Sequence, residues 1–565
     1  MAPSTRSAST STNSTAAKTR ANKPPNTANR TTKPVTATTS TGKKITFPSV
    51  PAASTLPPPT KRPTKWDIAP DTPEYAARRT PRSQFKDYTL EKVMATTDPP
   101  VCSVMTSRDF IHNSLYNPHY GYFSKQARIW QMLEPIDCTQ LRSTLEFMNT
   151  VGEQYAKIEA ELEQEARVVD DVTRQIWHTP TELFKPWYGA AIAKHIQSTY
   201  SASFDQTAPL TIYEVGGGNG TLMCNVLDHL RTHAPDVYAR TRYHIIEISS
   251  NLASIQRGKA ASHGHADKVH IVNQSVFDSS SASTLSDPNP CFVIALEVID
   301  NLAHDVVRWD LTTRAPVQGV IATDNFNDHV EEYVPIATDS LLARTLALHA
   351  LQGHWGPGLR DPWWTLTAPL PAFARRALTR GIPFAPNLSR RAFVPTNLVA
   401  LFETLKKRFP QHRLVMSDFS ALPDTMTKER NAPVVQTRFK QSMVPVSTYA
   451  VQPGFFDIFF PTEFEVARGM YEVIMSNGYE PETVGEVSLR VLQEHGDKGN
   501  VGQELVHQVS EKIGMSTPSR AMGMGAQVVT HRAFLERNAD LDKTRTTSGE
   551  NPMLMYYENC MFLLS

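Results

Sequence analysis

Cysteine is sparse in this 565-residue sequence: Cys102, Cys138, Cys224, Cys291 and Cys560 are scattered, with no CxxC pair. That spacing gives neither a disulfide framework nor a cysteine zinc site, so no metal ligands are assigned, and it fits a reducing compartment. Acid is missing from one whole region. Residues 1–66 hold eleven Lys and Arg and no Asp or Glu, the first being Asp67. No apolar run approaches the length of a membrane span, and no secretory signal core is present. Walker A, HExxH, GxSxG and EF-hand patterns are absent, which removes the sequence case for a P-loop, a zincin, a serine hydrolase or a calcium hand.

The formal net charge of +1 hides an asymmetry. Outside residues 1–66, 46 basic residues face 56 acidic ones, and an acidic body argues against a general nucleic-acid partner. Residues 1–63 are rich in Ser, Thr, Ala, Asn and Pro and cannot bury enough apolar surface to fold. Two readings fit this segment. A basic, Ser-rich, acid-free leader suits mitochondrial targeting, whereas the lack of Leu, Ile or Phe before Ile45 suits a disordered basic tail. The length allows several domains, or one α/β core with large insertions.

The densest signal lies at residues 211–221, TIYEVGGGNGT. An apolar run ends in Glu214 and Val215 and passes through Gly216, Gly217, Gly218 and Gly220. It then continues as Leu222, Met223, Val226, Leu227 and Leu230 at helical spacing. This predicts strand, tight turn and helix. Glycines at 216, 218 and 220 allow positive φ and let a ligand lie against main-chain N–H groups. The spacing is not the dinucleotide fingerprint, because Thr221 stands where the third glycine of that pattern falls. It resembles motif I of the class I S-adenosylmethionine (SAM) methyltransferases. That resemblance implies a Rossmann-like α/β core, a seven-stranded mostly parallel sheet with helices on both faces, and SAM as cofactor, with Glu214 facing the ligand's cationic part.

Further strands fit this frame. Residues 243–247, YHIIE, read as a second strand ending in Glu247, placed to accept both ribose hydroxyls. A third, from Val269 to Asn273, leads to Gln274 and Ser275, where related enzymes contact adenine. The continuous apolar run Cys291–Leu296 reads as a buried parallel strand, with Glu297 and Asp300 at its carboxyl end. The sheet resumes at residues 413–419. Residues 454–460, GFFDIFF, read as another strand, and residues 553–564 as an edge strand closing the sheet. Thr106 to Asp109 reads as a capping box, a charged helix is expected over 147–168, and Thr179, Pro180 and Glu182 form an N-cap, first-turn proline and capping-box set.

Four segments together resemble the MidA-like mitochondrial methyltransferases, the protein arginine methyltransferase type associated with respiratory complex I assembly. They are the aromatic stretch LYNPHYGYF at 115–123, TPTE at 179–182, EISSNLASIQ at 247–256 and ExxDxL at 297–302. The resemblance implies that Thr179 and Glu182 border the SAM pocket and that Glu297 and Asp300 sit by the transferred methyl. Two positions depart from the family pattern: Leu296 stands where the family has Asn, and Ala190 where it has a second Glu.

The expected organisation is a leader at 1–66, a linker at 67–105, a helical cap at 106–205 and the SAM-binding half of the core at 206–308. An inserted helical and loop lid rich in tryptophan follows at 309–410, and the rest of the core at 411–565. The functional expectation is a mitochondrial SAM-dependent arginine methyltransferase acting on a protein such as a complex I subunit. A small-molecule methyltransferase and a non-catalytic SAM-binding scaffold remain open beside it.

Overall fold

The glycine-rich turn sits at the middle of a seven-stranded sheet in the computed structural model. The structure describes residues 36–38, 44–46, 78–125, 128–129, 132, 135–166, 176–177, 179–278, 285–358, 361–422, 429–439, 442–495, 500–515 and 525–565. The chain divides into two units, residues 1–62 and 63–565. In the first, strands Thr36–Thr38 and Lys44–Thr46 pair antiparallel. The rest of the expected leader lies outside the described residues.

In the second unit the sheet strands are β1 (Thr211–Val215), β2 (Arg242–Ile246), β3 (Val269–Val272), β4 (Cys291–Leu296), β5 (His412–Phe419), β6 (Gln527–Thr530) and β7 (Cys560–Leu564). Their spatial order is β3-β2-β1-β4-β5-β7-β6. Pairs within β1 to β5 are parallel, and β7 runs antiparallel to both its neighbours. The order reverses between β1 and β4, which opens a crevice at the carboxyl edge of the sheet.

Alternation along the strands feeds two cores. Ile212, Phe292 and Ile294 face one side, where they meet Ile192 and Ile196 of helix α1 (Trp187–Ser203) and Leu222, Val226 and Leu230 of α2 (Thr221–His233). Tyr213, Val215, Val293 and Ala295 face the other. They pack with Leu398 and Phe402 of α4 (Thr396–Arg408) and Tyr471 of α5 (Phe464–Met475). Helix α3 (Ser250–Ser262) links β2 to β3. Each fully buried Leu, Ile, Val or Phe contributes roughly 1.5–3 kcal/mol, so both faces are strongly held.

Several expectations need correction. The segment expected as a linker at 67–105 is structured from residue 78: Val93 and Ser103 are buried, and strand Ser103–Thr106 pairs with Pro316–Thr323. The insertion at 309–410 is not only helix and loop. Strands Asp305–Trp309, Pro316–Thr323, His329–Pro335 and Ala392–Val394 join Lys86–Asp87 and Ser103–Thr106 in a second, six-stranded sheet. Three of its four tryptophans pack together: Trp309 is buried, with ring centroids 6.0 Å from Trp355 and 6.1 Å from Trp364. Of GFFDIFF only Asp457–Phe459 is strand, and it pairs outside the main sheet with Val434–Phe439. Residues Pro552–Met555 form a helical turn capped by Asn551, and β7 lies inside the sheet between β5 and β6 rather than at its edge.

Helix signals behaved more simply. Thr106 Oγ1 accepts the N–H of Asp109 at 3.1 Å and opens helix Ser107–Tyr116. The charged helix spans Thr144–Ala166.

Candidate active site

Three of the four glycines of the turn, Gly216, Gly218 and Gly220, adopt φ of 70°, 50° and 74°. Positive φ at Gly216 strains any side chain there, and a Cβ would also lie 3.0 Å from Val298 Cγ2, which would have to shift. Gly220 is the N-cap of α2, with no side-chain hydrogen bond closing the helix start. Glu247 follows β2 at the same edge. Its Oε1 accepts the N–H of Ser249 at 2.9 Å and its Oε2 accepts Gln256 Nε2 at 3.0 Å; Gln256 Nε2 also reaches the Gly218 carbonyl at 2.8 Å. One amide thus ties the turn to the acid. Burial raises the Glu247 pKa, while its hydrogen bonds oppose the rise.

Gln274 and Ser275 follow β3. Gln274 Nε2 is buried without a hydrogen-bond partner among the described residues, as is Gln256 Oε1. Orphaned amide atoms beside a glycine turn and a strand-end carboxylate are donors and acceptors left for a polar ligand. Ser275 Oγ already accepts the N–H of Phe277 at 3.2 Å. The donor set fits a nucleoside: Glu247 for the ribose hydroxyls, Gln274 for a base, the glycine turn for the remainder.

Glu214 has a different setting. It lies within β1, its Oε2 accepts the Tyr243 hydroxyl at 2.8 Å, and burial pushes its pKa up to about 7. Thr179 and Glu182 sit beneath the turn. Thr179 Oγ1 accepts the N–H of Glu182 at 3.2 Å, capping the helix Pro180–Leu183. Only half of the capping box forms, because the Glu182 carboxylate instead takes Lys185 Nζ at 2.9 Å and the Thr221 hydroxyl, with Lys259 Nζ at 3.8 Å. These contacts anchor the first residue of α2.

At the crevice end of β4, Glu297 has φ 53°, an uncommon conformation for a residue with a side chain. Its N–H donates to the Ser417 carbonyl at 3.0 Å. Asp300 is buried, and its Oδ1 has no partner among the described residues. Two further carboxyls join them. Asp418 of β5 is fully buried and its Oδ2 accepts the N–H of Ile299 at 3.0 Å and of Asp300 at 3.1 Å. Asp457 accepts Asn301 Nδ2 at 3.0 Å, and burial pushes it up to about 7. Burial first, then neighbouring carboxyls, raises Glu297 and Asp300 well above the usual range. Asp418 and Asp457 were legible only as residues of expected strands. The acid-rich crevice would have singled them out only once strand order was known.

The aromatic stretch supports this corner from behind. Tyr116 OH donates to the Asn301 carbonyl at 3.2 Å, and Tyr116 stacks on Phe123 with centroids 5.3 Å apart. Gly454 lies so close to the Tyr120 carbonyl that a Cβ would come within 1.8 Å.

The strand order, the glycine turn and the strand-end carboxylates define a Rossmann-like core with a crevice at the carboxyl edge of the sheet whose lining suits a nucleoside. Residues 191–479, about half of the chain, match the family described as "Putative S-adenosyl-L-methionine-dependent methyltransferase". The chain belongs to this family, whose cofactor is S-adenosyl-L-methionine. A curated relative, the protein arginine methyltransferase NDUFAF7 homolog, mitochondrial, of Schizosaccharomyces pombe, is 23% identical over 333 residues, 56% of this chain. The matched region spans 63% of that relative's length. A superfamily member from Burkholderia thailandensis crystallised with S-adenosyl-homocysteine is 15% identical, with a TM-score of 0.38, over 75% of this chain and 89% of that one. A native structure of an uncharacterized protein from the same bacterium gives 14% identity and a TM-score of 0.37 over the same shares. Among the described residues no helix is long and apolar enough to cross a membrane.

Proposed function

We propose that this protein transfers the methyl group of SAM to an arginine side chain of a protein substrate in mitochondria, and that this methylation supports respiratory complex I assembly. The observation that carries the reading is a group of four carboxyls, half-buried Glu297 and buried Asp300 after β4, buried Asp418 in β5, and buried Asp457 at the start of the strand Asp457–Phe459. Their pKa values are raised chiefly by burial, with neighbouring carboxyls adding for Glu297 and Asp300, and a cation entering there would favour their ionised forms and offset their mutual repulsion. Guanidinium stays protonated at neutral pH, with a pKa above about 12, and its planar fork suits paired carboxylates. The relative's name supports arginine and mitochondria, and the family resemblance supports complex I.

Bound SAM supplies an electrophilic methyl on a sulfonium. Glu247, Gln274 and the turn of Gly216, Gly218 and Gly220 would hold it, with Gln256 keeping Glu247 and the turn in register. Glu214, Thr179 and Glu182 would support the pocket from beneath. Glu297 and Asp300 would orient the guanidinium and take up its proton as one nitrogen is methylated, a task that suits carboxyls with raised pKa. Asp418 and Asp457 would hold the turn that carries them.

The test is incubation of the full chain with SAM and mitochondrial extract, followed by mass spectrometry for methylarginine, beside an Asp300→Asn variant. Methylarginine that depends on Asp300 is expected. Bound SAM with no methyl transfer to any protein would leave a SAM-binding assembly protein instead, a reading that the Leu296 departure favours.

A further inference from the structure

The far ends of α2 and α3, away from the crevice, carry a cluster that the methyl-transfer reading does not use. Helix α3 stops in a Schellman motif: the N–H of His265 bonds the Ala260 carbonyl at 2.8 Å, that of Gly264 bonds Ala261 at 3.1 Å, and Gly264 has φ 76°. This reversal turns His263 and His265 toward the same carboxylate on α2. His263 Nδ1 lies 2.9 Å from Asp228 Oδ2, and His265 Nε2 lies 3.0 Å from Asp228 Oδ1. The candidate ligand atoms of the three residues all lie within 4.8 Å of one another. His265 is fully buried, and its other nitrogen, Nδ1, is 2.8 Å from the Tyr238 hydroxyl.

We propose that Asp228, His263 and His265 form a binding site for a divalent transition metal of the zinc type. Two imidazoles and a carboxylate are the ligand chemistry zinc accepts, leaving a further position for water. The Tyr238 contact supplies the outer support such a histidine needs. With the Nε2 lone pair given to the metal, the imidazole proton resides on Nδ1 and donates to Tyr238, which fixes tautomer and ring orientation. Arg231 now occupies part of the site, pairing with Asp228 and donating from Nη1 to the His263 carbonyl at 2.9 Å. Metal and guanidinium therefore compete for Asp228. A bound metal would lock the ends of two helices whose N-termini border the crevice, and the site stands independently of the substrate reading.

The test uses the full chain dialysed against a chelator, titrated with Co²⁺ by visible absorption and with Zn²⁺ by calorimetry. One equivalent of Co²⁺ with tetrahedral-type bands, displaced by Zn²⁺, is expected. His263 is exposed, so His263→Ala should fold normally and, having lost a direct ligand, should weaken binding by more than the roughly 10–100-fold that losing an outer-shell partner costs. Arg231→Ala should tighten binding. The proposal is overturned by the absence of saturable binding, by binding that His263→Ala leaves unchanged, or by an Arg231→Ala variant that binds no better than the parent.

Discussion

Asp418 Oδ2 accepts the backbone N–H of Asp300 at 3.1 Å, so the end of β5 holds the turn that follows β4. The same oxygen takes Ile299 N at 3.0 Å, and Oδ1 takes Phe419 N at 2.8 Å. Asp418→Ala strands two buried donors, each costing about 1–3 kcal/mol, and the half-buried Phe419 N–H, for an expected loss of about 3–5 kcal/mol. Asp418→Asn keeps one acceptor oxygen but sets an amide against an N–H, and should fall between. Urea unfolding measures both, and a loss under about 1 kcal/mol for the alanine variant would contradict the assigned role.

Stability should carry an unusual pH signature. Glu214 and Asp457 are pushed up to about 7 by burial, so between the ordinary carboxylate range and pH 7 the folded protein binds more protons than the unfolded chain. Their stabilising effect is complete at low pH and is lost as pH rises through 7. Buried imidazoles such as His244 and His304, pushed down to about 4, act with the opposite sign below about pH 6.5. The carboxyl effect is therefore isolated from pH 6.5 to 8, where Tm should fall. Glu214→Gln should flatten part of that slope, and an identical slope in the variant would count against the buried acid.

Binding of an arginine peptide should also be linked to protons. Glu297 and Asp300 are raised well above the usual carboxyl range by burial and then by neighbouring carboxyls, and a guanidinium favours their ionised forms, so binding should release protons and tighten as pH rises. Calorimetry in two buffers of different ionisation enthalpy reads that release directly. Uptake of protons, or pH-independent affinity, would argue against a cation among these carboxyls.

Glu182 separates support from ligand contact. Its carboxylate holds Lys185 and the Thr221 hydroxyl and lies 3.8 Å from Lys259. Glu182→Ala removes a buried carboxylate from two half-buried lysines and the Thr221 hydroxyl, and should cost about 1–3 kcal/mol. Thermal melting and SAM titration of the same variant distinguish the roles. A stable variant with lost affinity would make Glu182 a direct contact instead of an anchor.

The sheet was legible because its signals are local. Cys291–Leu296 is continuously apolar, the glycines must take positive φ, and Thr106 and Thr179 cap within three residues. What escaped depends on distant pairing. The strand Ser103–Thr106 is stabilised by Pro316–Thr323, over two hundred residues away, and its own sequence shows only a short apolar run. Asp418 and Asp457 read as strand residues until β5 comes to lie beside β4 and Asn301 meets Asp457. Gln256 was visible inside the resembling motif, but its bond to the Gly218 carbonyl requires the turn and α3 to be folded together.

The central claim is a SAM crevice organised by Glu247, and it is tested most directly by calorimetric titration of the purified protein with SAM beside Glu247→Ala. Saturable one-to-one binding that the alanine variant loses, with the variant's thermal unfolding still cooperative, is the expected result. A folded parent that does not bind SAM, or a variant that binds as tightly as the parent, would contradict the account.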